Sequence, residues 1–406
     1  MDKLITVPEV IEIVQNNTED FGIEKIPFIK SLGRILAEDI KADRDFPPFD
    51  RMSMDGIAIK YSSYKNGITK FKIEGVQSAG MAQLTMIDNN NCLEAMTGGV
   101  LPKNTDTVIQ YEWLDIKDGY AEINFNYFDK EKLKCCKNVH KKGKDRKKGD
   151  VLIEKGIKIS SAEIGVLATV GNAEVSVLKN PKVMIISTGD ELVEVNEKPE
   201  EYQIRRSNVW TLVSLLKNEG IEADTDHIED DKKVLKQKIA NYLEEYDVLM
   251  FSGAVSKGKF DFLPKILDEL DVKKLFHRVK QRPGKPFWFG KKDNKTVFAF
   301  PGNPISTFVA CKKYFFPWYR KSLGLLDEEI KMAVLAKDFT FKPDLHYFLS
   351  VNITKDELGK RFAYPEMGNG SGDLANLINC DGFLELPIGK DKFYEGETFE
   401  VLEFRK

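Results

Sequence analysis

The sequence predicts a multidomain α/β and β protein. A small β domain is inserted into a helical one, a parallel-rich α/β domain follows, and a β module ends the chain. Two helix-start signals, at Thr6 and Ser160, bracket a stretch of short alternating strands. From Pro181 onward, apolar runs of strand length alternate with amphipathic helices, the pattern of a parallel sheet covered on both faces. After Gly324 the texture returns to short strands.

Thr6-Val7-Pro8-Glu9 forms a capping box, and Val10, Ile11, Ile13 and Val14 follow at helical spacing. Ser160-Ser161-Ala162-Glu163 repeats the signal for a helix that stops at Gly171. Between them, Lys70–Ile73 and Ala121–Phe125 alternate as strands, separated by Gly and Asn-Asp turns. In the α/β region, buried strands are expected over Val183–Ser187, Asp247–Ser252 and Val297–Phe300, with Leu275–Val279 extended. Helices are expected over Val209–Glu219 (capped by Ser207), Lys232–Tyr246, Phe262–Leu270 and from Ile305. Tyr347–Val351 and Phe399–Glu403 read as strands of the last module.

Composition narrows the function. The 406 residues carry 61 basic and 64 acidic side chains, a net charge of -3, which excludes a generally basic nucleic-acid coat. No apolar run approaches the roughly 20 residues of a membrane span. Met1–Thr6 lacks a signal peptide's charged-then-apolar design, so a cytoplasmic location is expected. The five cysteines form no C-x-x-C spacing, and none of the four histidines belongs to H-E-x-x-H. Chemistry is left to carboxylates, basic side chains and backbone amides.

Four strand-end loops carry such groups: Ser187–Glu191, Glu229–Asp231, Ser252–Asp261 and Pro301–Pro304. In a parallel sheet all four converge on one rim, where ligands bind. Small residues there let backbone N–H groups approach an anion, and Glu191, Asp230 and Asp261 offer the hard oxygens that Mg²⁺ takes. Asp231 reads equally well as a plain helix cap. The third loop nearly spells a P-loop, but Phe260 stands where Ser or Thr would hold Mg²⁺. In Arg278–Pro286, alternation along one strand would send Arg278, Lys280 and Arg282 to one side, ready for phosphate; a charged, solvated strand edge is the other reading. The basic run Lys141–Lys148 reads as a flexible solvated loop, and Asp45–Gly56 and Met96–Pro102 read as rigid Pro and Gly turns.

Taken in order, P-P-F-D-x-x-x-M-D-G, M-T-G-G, S-T-G-D-E-L, S-G-x-V-S-x-G-x-x-D, P-G-K-P and P-G-N-P resemble the molybdenum-insertion enzymes, the family of bacterial MoeA and the gephyrin E domain. The resemblance spans essentially the whole chain. It implies a discontinuous helical dimerisation domain (1–45 plus 139–180), an inserted β domain (46–138), a three-layer α/β/α domain like molybdopterin adenylyltransferases (181–325) and a β-barrel-like module (326–406). It further implies a homodimer with a shared active site, and contact with a molybdopterin adenylyltransferase. The implied reaction takes adenylylated molybdopterin and molybdate, uses Mg²⁺, releases AMP and yields molybdenum cofactor. A non-catalytic, molybdopterin-binding scaffold or regulator is the alternative.

The resemblance assigns Glu191, Asp230 and Asp261 to Mg²⁺ and phosphate, and Asp55 of the partner copy to the attacking species. It places Thr97, Gly98, Asp145, Ser252, Gly253, Ser256, Gly258, Arg278, Arg282, Gly284, Lys285, Pro301, Asn303, Pro304 and Ser371 around the substrate. The chain departs from the family pattern at Ala254, where a glycine is usual, at Arg278 and Arg282, which replace lysines, and at Ile57, which replaces a tyrosine. Leu345 stands where an arginine is usual, with His346 beside it.

Overall fold

Successive side chains of a strand point to opposite faces of its sheet, and that alternation builds the α/β region in layers. Along Val183–Thr188, Val183 and Ile185 join one buried cluster while Met184 and Ile186 join another. Val248 and Met250 follow the first pair, Leu249 and Phe251 the second. The first cluster packs under the helices Ser207–Asn218 and Pro304–Ala310 through Val209, Leu212 and Val309. The second packs under Lys232–Glu245 and Leu263–Glu269 through Leu235, Ile239 and Ile266. Burying each such side chain contributes about 1.5–3 kcal/mol, so two apolar faces commit the sheet to the middle of a three-layer sandwich.

The sheet order is Ala223–Ile228, Val183–Thr188, Val248–Ser252, Lys295–Phe300, Pro286–Lys292, Lys273–Arg278. The first four strands are parallel, and Pro286–Lys292 runs antiparallel to both its neighbours. Ser187 lies level with His227 and Ser252, and Ser252 with Phe300. The loops that follow therefore leave from one level.

The computed structural model describes residues 4–253, 255, 262–325 and 329–405. Two units emerge from it: Met1–Lys25 with Gly33–Ile35 and Ser176–Lys406, and Ile26–Leu32 with Leu36–Val175. No helix among the described residues is long and apolar enough to cross a membrane.

The first unit also contains the N-terminal helix Val7–Gln15, whose Thr6 and Glu9 complete the expected capping box. Its last part is a closed five-stranded barrel. His346–Lys355, Arg361–Pro365, Met332–Leu335, Thr398–Glu403 and Gly382–Leu386 pair in sequence around it, and the last pairs back to the first. Leu335, Leu349, Val351, Ala363 and Leu384 fill its interior.

The second unit is built on a six-stranded sheet ordered Thr107–Gln110, Gly56–Ile59, Cys92–Ala95, Lys70–Gln77, Tyr120–Ile123, Leu114–Lys117. Ile57, Phe71, Ile109 and Trp113 lie in its core. The expected capping box at Ser160 and Glu163 opens the helix Ser161–Thr169.

Several elements differ from the expectations. Ser207 is the first helical residue and does not cap: Arg206 occupies the cap position without a side-chain cap bond. The guanidinium of Arg206 is buried and engaged by Glu194 and the Asp226 carbonyl. The helix from Pro304 is interrupted by a π turn at Cys311–Phe315 before Phe316–Ser322, because Pro317 has no N–H to continue the α ladder. The strand Ala223–Ile228 escapes the pattern because it is a polar edge, with Asp224 and Asp226 held by Tyr246 and Tyr242. Arg278–Pro286 is not one strand. Arg278 ends a strand of the α/β sheet, whereas Gln281–Arg282 pairs in parallel with His346–Tyr347 of the barrel. Lys280 reaches Asp344 at 2.8 Å, and Arg282 sits 5.9 Å over the Phe341 ring.

Gly56 tests the packing of the second unit. A Cβ there would overlap the Ile109 carbonyl and lie 2.8 Å from Gln110 Cα. Gly56→Ala should cost at least about 1–3 kcal/mol, read from the urea midpoint. Gly165→Ala, in the helix Ser161–Thr169 with open space at its Cβ, should instead stabilise by about 0.5–1 kcal/mol.

Candidate active site

The rim of the α/β sheet brings its loops into direct contact. Gly253 donates its N–H to the Phe300 carbonyl at 3.1 Å. A Cβ on Gly302 would stand 3.8 Å from Gly253 Cα, and one on Gly253 would stand 3.6 Å from the Thr188 carbonyl. Three loops thus meet backbone to backbone, with glycine at each of the contacts. Asp230 donates its backbone N–H to Asp190 Oδ1 at 3.0 Å, which joins the second loop to the first. A Cβ on Gly189 would collide with the Glu191 carboxylate, so the glycine lets that exposed acid fold back over the strand end.

The last loop is fixed from two sides. Thr307 Oγ1 donates to the Pro301 carbonyl at 2.6 Å, and Asn303 Nδ2 donates to Ser371 Oγ at 2.7 Å. Ile305 N–H also meets the Ser371 carbonyl at 3.2 Å. Ser371 therefore joins the rim from a distant part of the sequence. Arg278 and Pro286 face each other across the antiparallel pair at the same end of the sheet, and Gly284 packs on Ser306 of the following helix. Lys285 is half-buried there, and its carbonyl accepts the Val279 N–H at 2.9 Å. Ser256, Gly258 and Asp261 lie outside the described residues.

Sequence reasoning missed four residues at this rim. Asn208 bridges Ser252 Oγ (3.0 Å) and the Gly302 carbonyl (2.7 Å). Asp190 links two loops as described. His227 Nδ1 meets Ser187 Oγ at 3.1 Å, and His277 Nε2 meets the Val255 carbonyl at 3.0 Å. Asp190 lies in the Ser187–Glu191 loop with no role assigned to it from sequence, and Asn208, His227 and His277 stand out by neither composition nor spacing, because each is placed by the fold. His346 Nε2 lies 3.3 Å from the buried Glu385 carboxylate, within ion-pair range. Burial would raise the Glu385 carboxyl, but His346 and Lys313 outweigh it and hold it below the usual range.

Mg²⁺ takes oxygen ligands, usually one or two carboxylates with water and substrate phosphate. Glu191 and Asp230 occupy neighbouring loops and offer that chemistry. Among the described residues, no three His, Cys, Asp or Glu side chains gather to hold a metal ion on their own.

In the second unit, Asp45–Gly56 organises the remaining predicted residues. Asp55 Oδ1 accepts the Thr97 N–H at 2.6 Å, and Met52 exchanges backbone bonds of 2.9 Å with Gly98 and Gly99. On the other side, Asp145 N–H meets the Phe46 carbonyl at 2.9 Å, and His140 Nε2 meets Asp145 Oδ1 at 2.8 Å. Asp50 accepts from Lys141 Nζ at 2.8 Å and from Lys142 N–H at 2.9 Å. The basic run, expected as a flexible solvated loop, is exposed at all but Gly143 and is bonded along the Pro-rich segment.

The α/β domain, residues 184–321, matches the family described as a probable molybdopterin binding domain. Residues 5–171 match the MoeA N-terminal region (domain I and II), and 332–404 the MoeA C-terminal region (domain IV). The chain belongs to the molybdopterin molybdenumtransferase family. It is 39% identical to the molybdopterin molybdenumtransferase of Synechocystis over 98% of this chain and 99% of that protein. It is 31% identical to that of Staphylococcus aureus over 98% and 95%. The crystal structure of the molybdopterin biosynthesis MoeA protein from Pyrococcus horikoshii superposes with a TM-score of 0.84, at 31% identity and full coverage of both chains. A second structure of a MoeA protein from that organism gives 0.78, at 25% identity.

The Thr97 backbone N–H, with its hydroxyl, holds the Asp55 carboxyl below the usual carboxylate range. The folded value is the lower one, so the ionised form's contribution is complete above the ordinary pKa and is lost as pH falls through the depressed value. A carbon-detected NMR titration should find Asp55 still ionised where exposed carboxylates are half protonated. In Thr97→Ala, which keeps the N–H, Asp55 should move only part of the way back.

Proposed function

We propose that this chain inserts molybdenum from molybdate into adenylylated molybdopterin in the cytoplasm, with Mg²⁺-dependent release of AMP. The observation that carries the reading is the junction of four strand-end loops and Ser371 on one rim, in a chain that matches its family from end to end.

The chemistry follows from the groups present. The open backbone around Gly253 and Gly302, with Ser252 and Asn303, suits the anionic phosphates of a pterin nucleotide. Arg278, Arg282 and Lys285 supply cations for the same charge and for molybdate. Glu191 and Asp230, with Asp261, would hold Mg²⁺, which neutralises the phosphoanhydride and stabilises its departing oxygen. Attack of a water or molybdate oxygen on the phosphoanhydride frees AMP and leaves the other phosphate on the pterin; the two dithiolene thiols then bind molybdenum, their protons leaving with one molybdate oxygen as water and no change in oxidation state. Asp55, held ionised by Thr97, accepts a proton or a hydrogen bond from the attacking species. In the proposed enzyme two copies of the chain cooperate, and Asp55 serves the rim of the other copy.

Purified protein with adenylylated molybdopterin, molybdate and Mg²⁺ should release AMP, followed by chromatography. Tight binding of the nucleotide without release would replace this reading with a non-catalytic scaffold. Asp261→Ala should abolish AMP release with an unchanged melting temperature; release at the wild-type rate removes that acid from the mechanism. Mixed dimers of Asp55→Ala and Glu191→Ala subunits should recover part of the activity that each homodimer lacks. Inactive mixed dimers would place each site within one chain.

A further inference from the structure

Asn208 belongs to none of the recognised motifs, yet it is the side chain that joins two of them. It is the second residue of Ser207–Asn218, a helix fixed from below by the buried Val209, Leu212 and Leu216. One amide nitrogen serves two loops: Nδ2 donates to Ser252 Oγ at 3.0 Å and to the Gly302 carbonyl at 2.7 Å. Its buried Oδ1 has no hydrogen-bond partner among the described residues, where the donor end anchors the side chain. The loops joined in this way meet at Gly253 and Gly302, which have no side chains to set a distance between them.

We infer that Asn208 is a positioning residue, which sets the gap between the Ser252-Gly253 and Pro301–Pro304 loops and so shapes the seat of the substrate's nucleotide phosphate. This rests on the substrate site proposed above. The two N–H groups of a planar amide diverge at a fixed angle, so the acceptors on the two loops keep a fixed separation. An alanine at 208 removes both links. An aspartate of the same shape is more selective: the Ser252 hydroxyl can turn and donate to it, but the Gly302 carbonyl has no hydrogen to give and is repelled. The loops then separate on one side only.

The test measures KM for adenylylated molybdopterin, kcat for AMP release, and AMP affinity by calorimetry. It uses wild type, Asn208→Ala, Asn208→Asp, Ser252→Ala and the Asn208→Ala/Ser252→Ala double variant. Both Asn208 variants should raise KM and weaken AMP binding about tenfold, the scale of losing one or two neutral hydrogen bonds, with kcat changed less. The Asn208→Ala effect should shrink when Ser252 is already alanine, because both changes break one link. Wild-type KM and AMP affinity in Asn208→Asp would overturn the assignment, and so would an Asn208→Ala effect that is undiminished in the double variant. The isosteric aspartate keeps the question answerable if the alanine variant misfolds. Should wild type bind AMP but release none from the pterin nucleotide, the proposed reaction fails, while the AMP isotherms still decide the role of Asn208.

Discussion

Parallel pairing in register is the constraint on which the site depends. Ser187, Ser252 and Phe300 lie level across three adjacent strands, so the chain leaves the sheet three times at the same height. Loops of small residues then have nowhere to go except against one another. A shift of one strand by a single residue would turn its apolar set from one covered face to the other. Because both faces are packed, that shift is prohibitive. The energy that aligns the loops is thus hydrophobic and distributed, while the groups aligned are polar and local.

The second unit solves a similar problem with a different device. No helix dipole or parallel rim presents Asp55. A rigid segment beginning Phe46-Pro47-Pro48 is laid between a Gly-rich turn and the basic run Lys141–Lys148 and bonded to both, through Met52 on one side and Phe46 on the other. Asp55 is then held in its ionised form by an amide of the turn it touches. The position and the charge state of this acid have one origin.

Much of this was legible in the sequence because it rests on local or periodic signals. The capping boxes at Thr6 and Ser160 depend on residues three apart, and both formed. Val183–Thr188 and Val248–Ser252 are apolar on both faces, so their burial follows from composition alone. Asp231, for which a plain helix cap is one of the readings, accepts from the Lys233 and Val234 N–H groups as such a cap does. What stayed hidden was non-local. Ala223–Ile228 reads as polar because its far edge faces solvent and tyrosines. Arg278–Pro286 looked like one strand, but its two halves answer to two different sheets. The contact of Asn208 with Gly302 joins residues 94 positions apart, and no pattern within a window of sequence can announce it.

The closed barrel carries a consequence of its own. Five strands that pair back upon themselves leave almost no free ladder for another chain to extend. Among the described residues the added rung is Gln281–Arg282 beside His346–Tyr347. That rung is a hinge pin: the turn holding Gly284 and Lys285 hangs between a strand of the sandwich and a staple on the barrel wall. The backbone on either side of the cationic turn is thus fixed by two different sheets, so the terminal module bears on where those charges rest.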